Sequence, residues 1–221
     1  MAPRELLQSL KACAGGQHQL CLAVGTPVVA ILRPVATCAG RLRIEDVELL
    51  TKWRNRHVSS FLTEFTATPE RTASWLTRMV GPDDTRILFM VESPPGRTVG
   101  YMGLAFIDWQ KASGEADAVV RGDDAPRGSM TQCLRHMLAW ARDQLGISAL
   151  SVRVRSDNPA LAFYQKFGYR EVLSEPLMKT ECNGDVIWQP GDRVAPTQAL
   201  NLVHMRLDPN ALPSPTPAPQ P

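Results

Sequence analysis

The feature that most narrows the possible folds is an apolar stripe running from Met130 through Leu134, Met137 and Ala141 to Leu145, closed by Gly146. Spacings of three and four residues place the stripe on one helical face, and a glycine just past its last member is a helix stop. Runs of β-formers bracket it, Ala116 to Arg121 before and Leu150 to Arg155 after. A strand, an amphipathic helix and a second strand of these lengths require a crossover, which is right-handed and leaves the two strands parallel. The stretch therefore predicts an α/β (α+β) class, with a mixed central β-sheet flanked by helices.

Other segments fit that frame. Ser156-Asp157-Asn158-Pro159 combines cap residues with a proline suited to a first helical turn, and opens a short helix that Gly168 ends after Phe167. Thr68-Pro69-Glu70 opens another helix, carrying Ala73, Leu76 and Val80 until Gly81-Pro82. A helix from about Glu45 presents Leu49, Leu50 and Trp53 on one side, and Arg4 to Ala12 has the pattern of a short helix. Val28 to Val35 reads as a strand, and Arg86 to Glu92 and Thr98 to Ile107 read as two antiparallel strands around Pro94-Pro95-Gly96. Tyr169 to Leu173, Val186 to Trp188 and Leu202 to Leu207 are the remaining strand candidates. The expected organisation is an N-terminal extension over 1–27, one domain over 28–208 and a disordered proline-rich tail over 209–221.

Composition removes several functional classes. The 24 basic and 22 acidic residues leave a net charge of +2, too balanced for a protein that wraps nucleic acid. The apolar run from Leu20 to Leu32 is too short for a membrane span and is interrupted by Gly25 and Pro27, so no membrane partner is expected. Five cysteines without close pairing point to a reducing, cytoplasmic setting rather than a disulfide framework. His18, His57, His136 and His204 lack metal-ligand spacing, so no metal is expected.

From Ser156 to Tyr169 the chain resembles the last motif of the GNAT superfamily of N-acetyltransferases, through Asn158, Ala160, Phe163-Tyr164 and Gly168-Tyr169. The resemblance extends over roughly Leu42 to Asp208 and implies a GNAT-like fold that uses acetyl-CoA. It makes Tyr164 the acid that protonates the departing thiolate, with Asn158 beside the pantetheine arm. It places the pyrophosphate loop at Arg127-Gly128-Ser129-Met130, where the start of a helix offers free N–H groups to an anion. The loop departs from the family's usual pattern, because Ala125 stands at its first position and the bulky Met130 at its last.

Aligning on Gly128 brings Glu115 to the position of the family's base, and Asp117, two residues on and on the same strand face, is its rival. Val119 and Val120 correspond to the strand that meets the pantetheine amides. Trp53-Arg54-Asn55 and Trp75 resemble the acceptor-side helices of members that acetylate amino-sugar nucleotides or the N-termini of ribosomal proteins. The resemblance thus implies an N-acetyltransferase acting on a small-molecule amine, with an amino-sugar nucleotide as first choice. A protein N-terminus and a non-catalytic acyl-CoA-binding module stay open as alternatives. Leu177 to Leu207 is available for acceptor contacts or a homodimer face.

Overall fold

The computed structural model describes residues 1–123, 125–191 and 200–213. Helix α1 (Pro3–Cys13) precedes strands β1 (Leu22–Val24) and β2 (Ala30–Pro34), then α2 (Ile44–Arg56), the short β3 (Thr63–Glu64) and α3 (Pro69–Trp75). Strands β4 (Ile87–Ser93), β5 (Arg97–Asp108) and β6 (Ser113–Arg121) follow. Next come α4 (Ser129–Leu145), β7 (Ala149–Arg155), α5 (Ala160–Phe167), β8 (Tyr169–Cys182), β9 (Asp185–Pro190) and β10 (Asn201–Leu207). They form one ten-stranded mixed sheet in the order β1-β2-β4-β5-β6-β7-β10-β8-β9-β3. The expected α/β class and the crossover both hold, since β6 and β7 pair in parallel across α4.

The stripe that predicts α4 is what the core uses: Leu134, Met137, Leu138 and Ala141 are fully buried against the sheet. Each large side chain removed from water in this way contributes about 1.5–3 kcal/mol. A second core on the opposite face gathers Leu50, Trp53, Leu76, Val80, Met90 and Tyr101 beneath α2 and α3. The helix α2 is tied to the sheet by a buried ion group. Arg33 on β2 donates to both carboxylate oxygens of Asp46, at 2.7 and 2.8 Å, and to Glu92 at 2.5 Å.

Packing runs past both ends of the 28–208 span. The α1 side chains Leu7 and Leu10 belong to the main core, because the helix lies against α4 and covers apolar surface that would otherwise face water. At the other end Pro209–Ala211 form a short helical turn capped by Asp208, and Leu212 is buried. Residues 214–221 of the tail expected to be disordered lie outside the described residues. Strand β8 runs to Cys182, well beyond the expected Leu173, because β9 pairs with its far half from Leu177 to Cys182.

Two irregularities shape the functional face. The ladder between β6 and β7 covers only Ser113↔Ala149 to Glu115↔Ser151, and beyond it the two strands part. On the other side of β6, Tyr101 pairs with Val120 and Gly103 with Asp117, so Ala118 and Val119 together oppose Met102. This is a bulge, with Ala118 at φ 52° in the left-handed region.

Candidate active site

The parting of β6 and β7 opens a cleft of about 990 Å³. Its floor and one side come from Glu115 to Arg121 on β6, and its other side from Val152 to Arg155 on β7 and from Asn158 to Tyr164 at the start of α5. Arg127, Gly128, Met130 and Thr131 close one end, where α4 begins. Arg54, Phe61, Phe65, Arg71 and Trp75 form a further wall, and Arg86 and Phe106 also line the cleft.

At the α4 end the loop of unusual composition keeps an open turn. Gly128 takes φ 84°, a conformation that favours glycine, and a Cβ added there would meet nothing within 4 Å. The Met130 side chain turns inward into the core rather than filling the loop. It is seated over Gly100, where a Cβ would stand 3.0 Å from Met130 Sδ and 2.6 Å from the Val120 carbonyl oxygen. The Ser129 hydroxyl donates to the Pro126 carbonyl at 2.8 Å, and its amide bonds to the same oxygen at 3.1 Å. The next two amides, of Met130 and Thr131, have no backbone partner among the described residues. A 17-residue helix thus aims unpaired N–H groups and its positive dipole end at the cleft. These features fit a pyrophosphate group.

Along the cleft, Tyr164 is almost wholly buried in an aromatic group, with Phe163 and Tyr169 edge-on at 5.3 and 5.5 Å between ring centroids. Its hydroxyl hydrogen-bonds to no described residue, and burial, then the nearby Asp117, pushes its pKa up, so it stays protonated at neutral pH. Asp117 is half-buried at the cleft floor and has no ion pair among the described residues. Removal from water raises its pKa against the opposing pull of Arg86, the Ala118 amide and Arg153. Glu115 is differently placed, because its Oε2 accepts from Arg153 Nε at 2.8 Å. Asn158 has both ends of its amide in use, donating to the Ser60 carbonyl at 3.1 Å and accepting from the Ala160 amide at 2.9 Å. It caps α5 and moors that helix to the segment after α2.

Trp53 and Asn55 correct the expected acceptor side. Trp53 is fully buried, stacked on Tyr101 at 6.2 Å, and does not line the cleft. Its ring occupies the space where a Cβ of Gly122 would lie, and so fixes the chain that leads into the α4 loop. Asn55 points away as well, bonding to both the amide and carbonyl of Ala67 at 2.7 and 3.0 Å. Ser129, with its hydroxyl turned to Pro126, is the third predicted residue outside the lining. Arg54 and Trp75 do line it.

Phe65, Arg71 and Arg155 line the cleft without having been singled out in the sequence. The expected Arg54 lies 3.7 Å above the Phe61 ring centre and 4.6 Å from that of Phe65, on which Arg71 also rests at 3.8 Å. Arg155 is buried, donating to Phe61 O, Glu64 and Asp157, while Trp188 on β9 donates to Glu64 at 2.7 Å. This network brings the β8–β9 hairpin and β3 around the cleft. His57 also lines it, with Nε2 enclosed and without a partner among the described residues, and burial lowers its pKa. The one local signal was the density of arginine and aromatic residues between positions 54 and 75. No group of three or more potential metal ligands occurs among the described residues, and none of their helices is long and apolar enough to cross a membrane.

A mixed sheet that opens between two parallel strands, with a helix N-terminus at one end of the gap and a phenol and a carboxyl within it, defines an N-acyltransferase architecture. The model of the Acetyltransferase (GNAT) domain matches residues 40–170, and the chain belongs to that family. It is a GNAT N-acetyltransferase, of a family that takes its acetyl group from acetyl-CoA.

Solved structures share the fold at low identity. Spermidine N-acetyltransferase from Vibrio cholerae, in complex with CoA and spermine, is 15% identical at TM-score 0.61, covering 80% of this chain and 94% of its own. A probable GNAT acetyltransferase from Chromobacterium violaceum is 14% identical at TM-score 0.64, covering 83% and 84%. FdhC, a nucleotide-linked sugar GNAT, is 11% identical at TM-score 0.60, covering 87% and 92%. No curated protein matches the chain.

Proposed function

We propose that the enzyme acetylates the amine of a small molecule, with an amino-sugar nucleotide as the favoured acceptor class, by direct attack on the acetyl-CoA thioester. The observation that carries this reading is the placement of Asp117 and Tyr164 in one cleft, on the two sides of the gap between β6 and β7. Acetyl-CoA supplies an activated acyl group and a thiolate leaving group. The amides of Met130 and Thr131, the Gly128 turn and the Arg127 guanidinium would hold its pyrophosphate. The bulged backbone at Val119 and Val120 would meet its pantetheine amides, and Asn158 keeps α5 in place beside that arm.

An amine reaches neutral solution as ammonium and must lose a proton before it attacks. Asp117 takes this role in preference to Glu115, since its carboxylate is unpaired and its raised pKa gives it the stronger basicity. Glu115 is committed to Arg153. Tyr164 holds the proton that the sulfur needs on leaving. The aromatic and arginine wall of Arg54, Phe61, Phe65 and Trp75 suits a stacked ring with phosphate groups, and the nucleotide-linked sugar GNAT among the fold neighbours is in keeping with it.

Calorimetric titration with acetyl-CoA and with CoA tests the first half of the proposal. Micromolar binding is expected, and an acceptor screen led by amino-sugar nucleotides then tests the second. Absence of binding would leave the non-catalytic module as the better description.

A further inference from the structure

The cleft contains a charge arrangement that the transfer chemistry does not itself require. Arg86, just before β4, and Arg153, on β7, both place their guanidinium groups over Phe106, at 5.6 and 4.5 Å from the ring centre. All three side chains line the cleft beside Glu115 and Asp117. Phe106 stands on a bulge of β5, where Ala105 pairs with Glu115 and Asp108 with Ser113, and it has φ 54°. Phe106 is more than half exposed, so its ring and the two arginines over it are open to the cleft.

The donors in this group are largely unspent. Arg153 gives only its Nε to Glu115. Arg86 Nε is enclosed without a hydrogen-bond partner among the described residues, and its nearest carboxylate oxygen, on Asp83, is 3.8 Å away. None of the four terminal nitrogens of the two arginines hydrogen-bonds to a described residue. The side chains are only 19% and 30% exposed, so water screens the two like charges incompletely. Two partly desolvated guanidinium groups beside one aromatic ring, with their terminal donors unspent, are a poor arrangement by themselves and one that an oxyanion between them would relieve.

We infer that Arg86 and Arg153, seated on Phe106, form a subsite for an anionic oxygen group of the acceptor molecule, a phosphate or carboxylate, close to the amine that Asp117 deprotonates. The inference rests on the acetyltransferase reading of the cleft and narrows its substrate class to amines that carry their own anion. It separates this enzyme from polyamine acetylation, because a polycation needs unpaired carboxylates. Of the two acids that line the cleft among the described residues, Glu115 is paired with Arg153, which leaves Asp117 for one ammonium group.

The test uses the full chain saturated with CoA, so that the α4 end is filled, and titrates inorganic pyrophosphate and N-acetylglycine separately by calorimetry. At least one probe is expected to bind with millimolar or tighter affinity. Which one binds distinguishes a phosphate from a carboxylate source. Arg86→Gln and Arg153→Gln should each weaken that binding at least about tenfold, the loss expected for one charge-assisted hydrogen bond, while leaving the CoA dissociation constant within about twofold. Arg86→Lys, which keeps the charge and loses the fork, should fall between. Glucosamine 6-phosphate against glucosamine, and phenylalanine against phenethylamine, extend the test to turnover, with the anionic member of the responsive pair favoured only when both arginines are present.

Failure of both probes to bind, binding that survives both substitutions, or efficient acetylation of spermidine overturns the subsite. Failure of CoA itself to bind overturns the underlying acetyltransferase reading instead.

Discussion

Replacing Asp46 by alanine probes how the acceptor-side helix is held. Asp46 is 2% exposed and Arg33 4%, and two of the three hydrogen bonds that Arg33 makes go to this one carboxylate. Asp46→Ala leaves a buried guanidinium with Glu92 alone, and breaking a buried pair from one side costs about 3–5 kcal/mol. A folded domain has only about 5–15 kcal/mol in hand, so the variant should still fold, with much less margin. At about 2–4 °C per kcal/mol for a chain of this size, its melting temperature should fall by about 6–20 °C. Urea unfolding followed by circular dichroism gives the same quantity as a lower midpoint with an unchanged slope.

The double replacement Arg33→Met with Asp46→Leu removes both charges and should recover most of the loss, because an apolar pair needs no partner. Glu92 can then turn to solvent, since its side chain is already 18% exposed. A single variant that loses less than about 1 kcal/mol, or a double variant as unstable as the single one, would refute the claim that this ion group anchors α2.

Three further outcomes follow from the site and its surroundings. Tyr164→Phe should lower turnover by about 10²–10⁴-fold with little change in CoA affinity, and full turnover would remove Tyr164 from its role. Asp117 binds its proton more tightly in the folded chain than in the unfolded one, so stability falls as pH rises from the ordinary carboxylate range through the raised pKa. Activity rises over the same window as the base ionises. Asp117→Asn should abolish that limb of the kcat/KM profile and narrow the stability difference between acid and neutral pH, whereas Glu115→Gln should keep the limb. Cys21, Cys38 and Cys182 are all exposed, and Cys38 and Cys182 should react first with a thiol reagent at pH 8. Cys21 should follow more slowly because burial pushes its thiol up, and Cys133, buried with its thiol pushed up to about 11, should react only after unfolding.

What the sequence made legible was governed by nearby residues. The α4 stripe, the cap before α5 and the Thr68 cap, whose hydroxyl accepts from the Arg71 amide at 3.2 Å, are short-range patterns that mean the same thing in any fold. The parallel β6–β7 pair followed from them through connection geometry. What stayed hidden depended on distant partners. Trp53 could be placed on an apolar face but not turned toward Tyr101 rather than the cleft. Asn55 became a clamp for Ala67 only once the chain had doubled back. Alignment on Gly128 favoured Glu115 over Asp117 on one strand face, and the Arg153 that pairs with Glu115 comes from β7, 38 positions on. The long β8–β9 hairpin also exceeded its local signal, since its outer half gains from pairing what its sequence does not offer as burial.

The acceptor wall has one further property, which concerns the order in which the molecule assembles. Its fastenings join residues far apart along the chain: Arg155 to Glu64 across 91 positions, Arg71 to Asp185 across 114 and Trp188 to Glu64 across 124. Closing a 124-residue loop costs about 2 kcal/mol more chain entropy than closing a 12-residue one, and β3 contributes only two residues of pairing in return. The β6–α4–β7 crossover joins strands adjacent in chain order and can form early, whereas this wall closes late and reopens first. Amide exchange at Thr63, Glu64 and Ile187 should therefore outpace exchange in β5 and β7. A polypeptide emerging from the ribosome would hold every residue of the cofactor half of its cleft before Asp185 and Trp188, the last fastenings of the acceptor wall, had been made.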